Sequence, residues 1–419
     1  MKVYKFGGAS VRDARAVENV FQILKKVADE DVLIVISAMG KSTNRLEEIL
    51  SLYLEGQSLE LSIQIANFKK TYLELVNQLF HLKKVKDQMV AQIDELFSDF
   101  HYFLSHNRSS NYSYVYDQVV SLGEILSTKI MAFYLQYKGI KNKWLDARDV
   151  LLTDSTYREA KLNWDQTIKR IEAIEKNKLP IITQGFIASN GNGATTTLGR
   201  EGSDYSAAIF AYCLKAEQVC IWKDVPGVLN ADPREFNQTT LLNKISYQEA
   251  IELAYYGASV IHPKTIQPLQ RRKIPLYVRS FVNPEKTSTE VCDFEGISPE
   301  IPCYIVKKDQ YLLSLSSLDF SFILEKHLSE AFALFDRCKI KVNLIQNTAI
   351  SFSVCVEDKY ERLEELSLEL SQLFKVEIVK NVKLYTIRYA REDSSREIEL
   401  TTKVLIKQQL KQTLQLVVL

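Results

Sequence analysis

Residues 2–37 read KVYKFGGASVRDARAVENVFQILKKVADEDVLIVIS. Lys2 to Phe6 is a short strand, and Gly7-Gly8-Ala9-Ser10 is a turn. Ala14 to Ala28 carries a helical pattern, and Asp31 to Ser37 is a second strand rich in valine and isoleucine. That second strand does not alternate apolar with polar residues, so it belongs in a sheet covered on both faces. Strand, glycine turn, helix, strand opens an α/β fold with a mostly parallel sheet sandwiched by helices.

The pattern continues outward from this start. Asn44 to about Gln136 is helical, with no proline and only Gly56 and Gly123 as glycines; a break is expected at 107–111. Asp117 is placed to cap a helix running through Leu135. Strands are expected at 144–146, 180–184, 218–223 and 276–280, and Ser246 with Glu249 reads as a capping pair for a helix through Ala254. Six of the 14 glycines fall between Gly185 and Gly227, and none follows Gly296. The middle of the chain therefore needs backbone angles that the tail does not. The stretch 293–302 reads as a linker, which divides the chain into 1–292 and 303–419. Beyond it, strands are expected at 311–315, 341–345, 350–356, 376–379, 384–389 and 414–418. Helices are expected at 328–337, 360–374 and 399–410. This β-α-β-β order suggests small α+β, ferredoxin-like modules.

Composition excludes several classes of function. Lys+Arg is 53 and Asp+Glu is 52, so no bulk positive charge drives nucleic-acid or membrane attachment. The longest clean apolar run, Val32 to Met39, is too short to span a bilayer. No signal peptide fits the start of the sequence, and six scattered cysteines with no Cys-x-x-Cys pair read as the reduced thiols of a cytoplasmic protein. Five scattered histidines give no protein-held transition-metal site.

Five segments carry candidate chemistry. In Lys5-Phe6-Gly7-Gly8, two glycines let the backbone approach a bound anion and a lysine supplies a point charge, although the segment also reads as a plain strand–helix turn. Ser37 and Thr43 follow the second strand, where a polar ligand fits; Thr43 reads equally as a helix cap. Gly123 inside a helix implies close packing or a ligand, and Glu124 beside it reads either as a solvated glutamate or as an anion for an ammonium group. Thr195 to Asp204 is the richest stretch: a glycine loop entering a helix, with Arg200 able to fork onto a carboxylate or phosphate. Lys223, Asp224 and Arg234 surround ordinary turn signals but could also face phosphates. His262-Pro263 reads as structural.

The segments KFGGASV, ISAMGKSTN, SLGE, TQGFIAS, TTTLGREGSDYSAA, IWKDVPGVLNADPR and YGASVIHPKTIQP occur in this order between residues 5 and 268. Together they resemble the aspartate kinases of the amino acid kinase superfamily, and the tail resembles the tandem ACT modules that regulate and dimerise such enzymes. The resemblance implies ATP- and Mg²⁺-dependent phosphorylation of the side-chain carboxylate of L-aspartate, the first step towards lysine, threonine and methionine. It implies that Lys5, Gly7 and Gly8 hold the transferring phosphoryl group and that Asp204 orients the cations there. It assigns Lys223, Asp224 and Arg234 to the nucleotide. Glu124 would take the substrate α-ammonium, Arg200 its α-carboxylate, and Ser37, Thr43 and Ser203 would complete the lining. A homo-oligomer built through the tail is expected. The alternatives are a kinase of another acid, such as glutamate or acetylglutamate, and an inactive amino-acid sensor.

The sequence departs from the family at several positions. Ala9 replaces a frequent threonine, and Lys223 replaces a threonine before the aspartate. Leu229 replaces an aromatic, Ser259 a lysine and Glu201 a glycine. Lys223 is the expected substitute for the cation missing at Ser259. In the tail, the loop 320–326 lacks the glycine of lysine-sensitive relatives, and Asn343 stands where many have aspartate. Weak or absent inhibition by lysine is the expectation.

Overall fold

The computed structural model describes residues 1–174, 179–258, 261–319 and 321–419. Two compact units emerge. One comprises Met1–Val228, Leu241–Ile251 and Val260–Ile297; the other comprises Leu229–Thr240, Glu252–Ser259 and Ser298–Leu419. Packing therefore does not follow chain order at the expected 292/303 division, because two short segments of the kinase-like part group with the tail.

The first unit is built on a nine-stranded sheet. From edge to edge its strands are Ile297–Ser298, Lys244–Ser246, Thr289–Cys292, Leu276–Ser280, Gln218–Lys223, β1 (Lys2–Phe6), β2 (Val32–Ile36), Ile181–Gln184 and β3 (Lys143–Leu145). All pairings around β1 and β2 are parallel, as the sequence led one to expect; Leu276–Ser280 and Thr289–Cys292 pair antiparallel. The edge strand Ile297–Ser298 falls inside the stretch read as linker. β2 is buried at all five positions, which is why it shows no alternation.

Helix α1 (Ala14–Lys25) begins where Asp13 Oδ1 accepts from Ala16 N at 2.8 Å. It buries Val17, Val20, Phe21 and Leu24, one face at helical spacing, and each such side chain contributes about 1.5–3 kcal/mol. The long helical region is four helices: α2 (Ser42–Leu54), α3 (Ser58–Leu79), α4 (Lys83–His106) and α5 (Tyr112–Tyr137). The break near 107–111 is present. A second break, Phe80–Leu82, has no glycine or proline to announce it; there Phe80 leaves the helix to sit among Phe133, Tyr134 and Tyr137. Asp117 does not cap α5. Asn111 does, accepting from Tyr114 N, and the helix starts five residues before Asp117.

The second unit is a six-stranded, wholly antiparallel sheet in the order Lys341–Asn347, Ser351–Glu357, Cys303–Ser316, Lys375–Arg388, Thr413–Val418, Val404–Leu410. The strands expected at 376–379 and 384–389 are one 14-residue strand, paired along its length with Cys303–Ser316. The helix expected at 399–410 is a correction. Only Arg396–Thr401 is helical, and Val404–Leu410 turns at Lys411 (φ 51°) to form an edge strand against Thr413–Val418. Cross-strand pairing with an apolar partner overrode a weak local preference. Helices Glu325–Arg337 and Leu363–Leu370 cover a core of Leu313, Leu315, Phe335, Phe352 and Leu366.

Candidate active site

Because the central strands are parallel and in register, their carboxyl ends lie together: Phe6 is opposite Ile36 and Trp222, and Ile36 is opposite Gln184. Ligands of open α/β sheets bind at that end. The turns following these strands interlock. Gly40 N donates to Gly8 O at 3.0 Å, and a Cβ on Gly8 would stand 2.7 Å from Ala38 O and 2.8 Å from Gly40 O. Only glycine permits that approach. Gly185 N donates to Ile36 O, and a Cβ there would meet Ser203 Cβ at 2.5 Å. The end of the strand Ile181–Gln184 is thereby pressed onto the helix Gly202–Leu214, whose first turn carries Ser203 and Asp204.

Asp204 is fully buried between two ammonium groups. Lys5 Nζ lies 2.6 Å from Oδ1 and Lys223 Nζ 3.5 Å from Oδ2. Burial pushes the carboxyl up, but the two lysines outweigh it, and the net direction is down. Lys5 itself is buried and folds back so that its ammonium lies 3.4 Å from where a Gly7 Cβ would be. Glu201 precedes this helix in a left-handed conformation (φ 53°), as a glycine would. Its carboxyl lies near that of Asp204. Burial and the Asp204 charge push it up, against Lys223 and Lys5.

Glu124 is buried on α5, with Oε2 lacking a hydrogen-bond partner among the described residues. Burial raises its carboxyl to about 8, and the backbone N–H groups of Glu124 and Ala38 only partly oppose this. Gly123 sits against Ala38 Cβ (3.0 Å from an added Cβ) and Leu46, so the glycine is there for close packing. Ser127 Oγ donates to Ser37 O at 2.7 Å. Glu124 is thus connected through Ala38 and the Gly7-Gly8 turn to Lys5, Asp204 and Lys223.

The remaining expected residues are placed as follows. Thr43 lies in the first turn of α2 and is not its cap; Lys41 holds that position without a side-chain bond. Arg200 is exposed and makes no ion pair among the described residues, and its charge helps lower His262. Asp224 is exposed after the strand Gln218–Lys223. Arg234 belongs to the second unit, where it forks onto Asp232 at 2.7 Å. Leu229 is in that unit too, and Ser259 lies outside the described residues. His262 is the cap of the helix Pro263–Arg272, its Nδ1 accepting from Lys264 N, as the structural reading expects. The sequence reading missed Asp117 and Gln118 as anchors of the threonine strand. Their one signal was an acid and an amide set in an apolar helix face.

Residues 1–280 match the amino acid kinase family. Lysine-sensitive aspartokinase 3 of Escherichia coli (strain K12) is 31% identical over 397 residues, covering 92% of this chain and 86% of that protein. Bifunctional aspartokinase/homoserine dehydrogenase 2, chloroplastic, of Arabidopsis thaliana is 33% identical over 303 residues, covering 69% of this chain and 32% of that protein. The chain thus spans about a third of that bifunctional relative. The structure of E. coli aspartokinase III in complex with aspartate and ADP (R-state) superposes with a TM-score of 0.80 at 28% identity, covering 100% of this chain and 96% of that one. The same enzyme in complex with lysine and aspartate (T-state) gives 0.81 at 27%, covering 100% and 95%. The chain belongs to the amino acid kinase family. Within that family its relatives are aspartokinases, and the fold is theirs over the whole length.

Proposed function

We propose that the chain transfers the γ-phosphoryl group of ATP to the side-chain carboxylate of L-aspartate, giving 4-phospho-L-aspartate. The observation that carries this is Glu124: a buried carboxylate with one oxygen unpartnered among the described residues, connected through the Gly7-Gly8 turn to a lysine-flanked aspartate. A buried charge left open in this way suits a cationic ligand group. A free amino acid brings that ammonium, and an acylated one does not. Arg200 offers the fork for the α-carboxylate, and Ser37, Thr43 and Ser203 line the strand ends.

The substrate side chain is ionised at neutral pH, so no strong base is required. One of its oxygens forms the bond to the γ-phosphorus as the bond to the β–γ bridging oxygen breaks, and ADP leaves with the electron pair. The obstacle is bringing an anion to a polyanion. Lys5 and the amides of Gly7 and Gly8 offset charge on the transferring group, with Asp204 holding Lys5 in place. Lys223 and Asp224 remain the residues proposed for the nucleotide, while Arg234 groups with the second unit and forks onto Asp232. Lys223→Ala should raise the ATP KM, the test of its role as substitute cation.

Magnesium, when bound, neutralises phosphate charge. No group of three or more His, Cys, Asp or Glu side chains among the described residues forms a cation site. The donors that fit are Asp204 and Glu201, two carboxylates in contact, so the phosphates would supply most of the ligands. In the second unit, Asn343 Oδ1 accepts from Lys307 Nζ (2.8 Å) and its Nδ2 donates to Gln310 Oε1 (2.7 Å). An amide already bonded within its own chain supports weak inhibition by lysine. The ACT-like reading of this unit, and self-association through it, rest on the family likeness and on exposed Leu318, Phe322, Leu324 and Ile345 near its edge strand.

The test is hydroxylamine trapping with Mg-ATP and L-aspartate, beside glutamate and acetylglutamate. Aspartyl hydroxamate lost in Asp204→Ala supports the reading; product with another acid alone changes the substrate; none with any acid favours an inactive sensor. No helix among the described residues is long and apolar enough to cross a membrane.

A further inference from the structure

We propose that Asp117 is a positioning residue for the amino-acid substrate: from inside α5 it clamps the strand Thr195–Thr197 and the loop beside it, and so fixes Arg200 relative to Glu124. The inference rests on the functional reading above for the roles of Arg200 and Glu124.

Asp117 is fully buried, and a carboxylate in that position costs several kcal/mol unless it is well hydrogen-bonded. It meets three donors. Oδ2 accepts from Arg158 N and from Thr197 N, both at 2.9 Å, and Oδ1 accepts from Thr197 Oγ1 at 2.8 Å. Its neighbour Gln118 grips the other end of the same strand: Nε2 donates to Thr195 O at 2.8 Å, and Oε1 accepts from Thr195 N at 3.1 Å. Two adjacent side chains of one helix thus hold both ends of a three-residue strand whose only strand partner among the described residues is Ile187–Asn190.

The second clamped segment is strained. Tyr157 (φ 57°) and Arg158 (φ 52°) are consecutive left-handed residues with bulky side chains, a conformation disfavoured for L-residues other than glycine. Strain of this kind persists where the surroundings over-determine it. Here the Asp117 carboxylate holds Arg158 N, the Arg158 guanidinium lies over Tyr116 (4.6 Å) and Tyr112 (5.4 Å), and Ala160 N donates to Thr197 O. The loop then packs on Gly199 (φ 77°), where a Cβ would stand 2.9 Å from Glu159 Cγ. Gly199 is the residue before Arg200.

Glu124 lies seven residues beyond Asp117 on α5, two turns along and on the same face. One rigid helix therefore carries the ammonium anchor directly and holds the carboxylate anchor through its clamp. The substrate's two α-groups are a fixed distance apart, so the spacing between the anchors decides affinity.

Asp117→Asn keeps the size but leaves a single acceptor and turns an NH2 towards an N–H. The expected result is a rise of about tenfold or more in the aspartate KM with the ATP KM moving less than about twofold, since misplacement of about 1 Å is worth up to ~10²-fold. Amide hydrogen exchange at Thr197 and Arg158, read without turnover, should quicken. Thr197→Val removes only the hydroxyl donor; it should raise the aspartate KM in the same direction by less, and it decides the matter if Asp117→Asn does not fold. An unchanged aspartate KM, or an ATP KM rising in step, overturns the proposal. A wild-type chain that makes no aspartyl phosphate fails the functional reading instead. In that case unchanged exchange in Asp117→Asn overturns the clamp, and faster exchange upholds it.

Discussion

Two lysines, a buried one in the first unit and a half-buried one in the second, meet different partners. Lys5 ends a parallel strand and faces the carboxylate of Asp204. Lys307 lies in the long antiparallel strand Cys303–Ser316 and faces the amide of Asn343. Burial first, and the charge of Lys341 second, lower Lys307 to about 8. A full counter-ion faces the first cation in a site proposed to receive phosphate, whereas an amide leaves the second cation's charge conditional.

The largest expected effect is at the fully paired cation. Asp204→Ala leaves Lys5 and Lys223 facing each other without the anion between them. Phosphoryl transfer, followed as hydroxamate, should fall by about 10²–10³-fold, the scale seen when a preorganised electrostatic group is removed. Unchanged turnover would separate the ion pair from catalysis.

Next in size is Glu124→Gln, which keeps the shape and removes the charge. A charge-assisted hydrogen bond is worth about 1.5–3 kcal/mol, so the aspartate KM should rise about 10–100-fold while the ATP KM stays. Steady-state kinetics with each substrate varied separates the two.

The pH dependence of the same residue is a smaller effect. Its carboxyl is raised to about 8 without ligand and must ionise to hold an ammonium. Aspartate affinity, measured by calorimetry, should therefore climb with pH up to about 8 and level above it, and the climb should vanish in Glu124→Gln. The sign for stability is opposite. Between the ordinary value of 4.5 and about 8 the folded state holds a proton that the unfolded state has lost, so the ligand-free protein loses stability as pH rises through that window.

The smallest effect is at the partly satisfied cation. Asn343→Asp gives Lys307 a counter-ion. Thermal unfolding at neutral pH should shift up by about 2–4 °C if the new pair contributes ~1 kcal/mol. In the wild type, stability should gain between about 8 and the ordinary 10.5, because there the unfolded state binds the extra proton; the variant should lose that gain. No change in either would mean that Lys307 reaches solvent.

Much of the first unit was legible because its signals are local. Glycines at 8 and 185 mark backbone approaches that no side chain fits, and Asp13, Ser246 and His262 cap helices within three residues of themselves. The tail was less legible. Val404–Leu410 reads as a continuation of a helix until its pairing with Thr413–Val418 is known, and the 14-residue strand Lys375–Arg388 hides behind a polar stretch at its middle. Arg234 was grouped with the lysines of the first unit by its nearness in sequence, yet it packs with the second.

The sequence by itself determined the parallel α/β start, the glycine turns and the charged residue types at Lys5, Glu124, Arg200 and Asp204, since each depends on neighbours a few positions away. Only the tertiary structure decided which charges meet. Asp204 finds Lys5 across most of the first unit, and Asp117 reaches donors 41 and 80 residues distant. A buried carboxylate must be satisfied, but the donors that satisfy it are chosen by how helices and strands pack, and no local pattern encodes that choice.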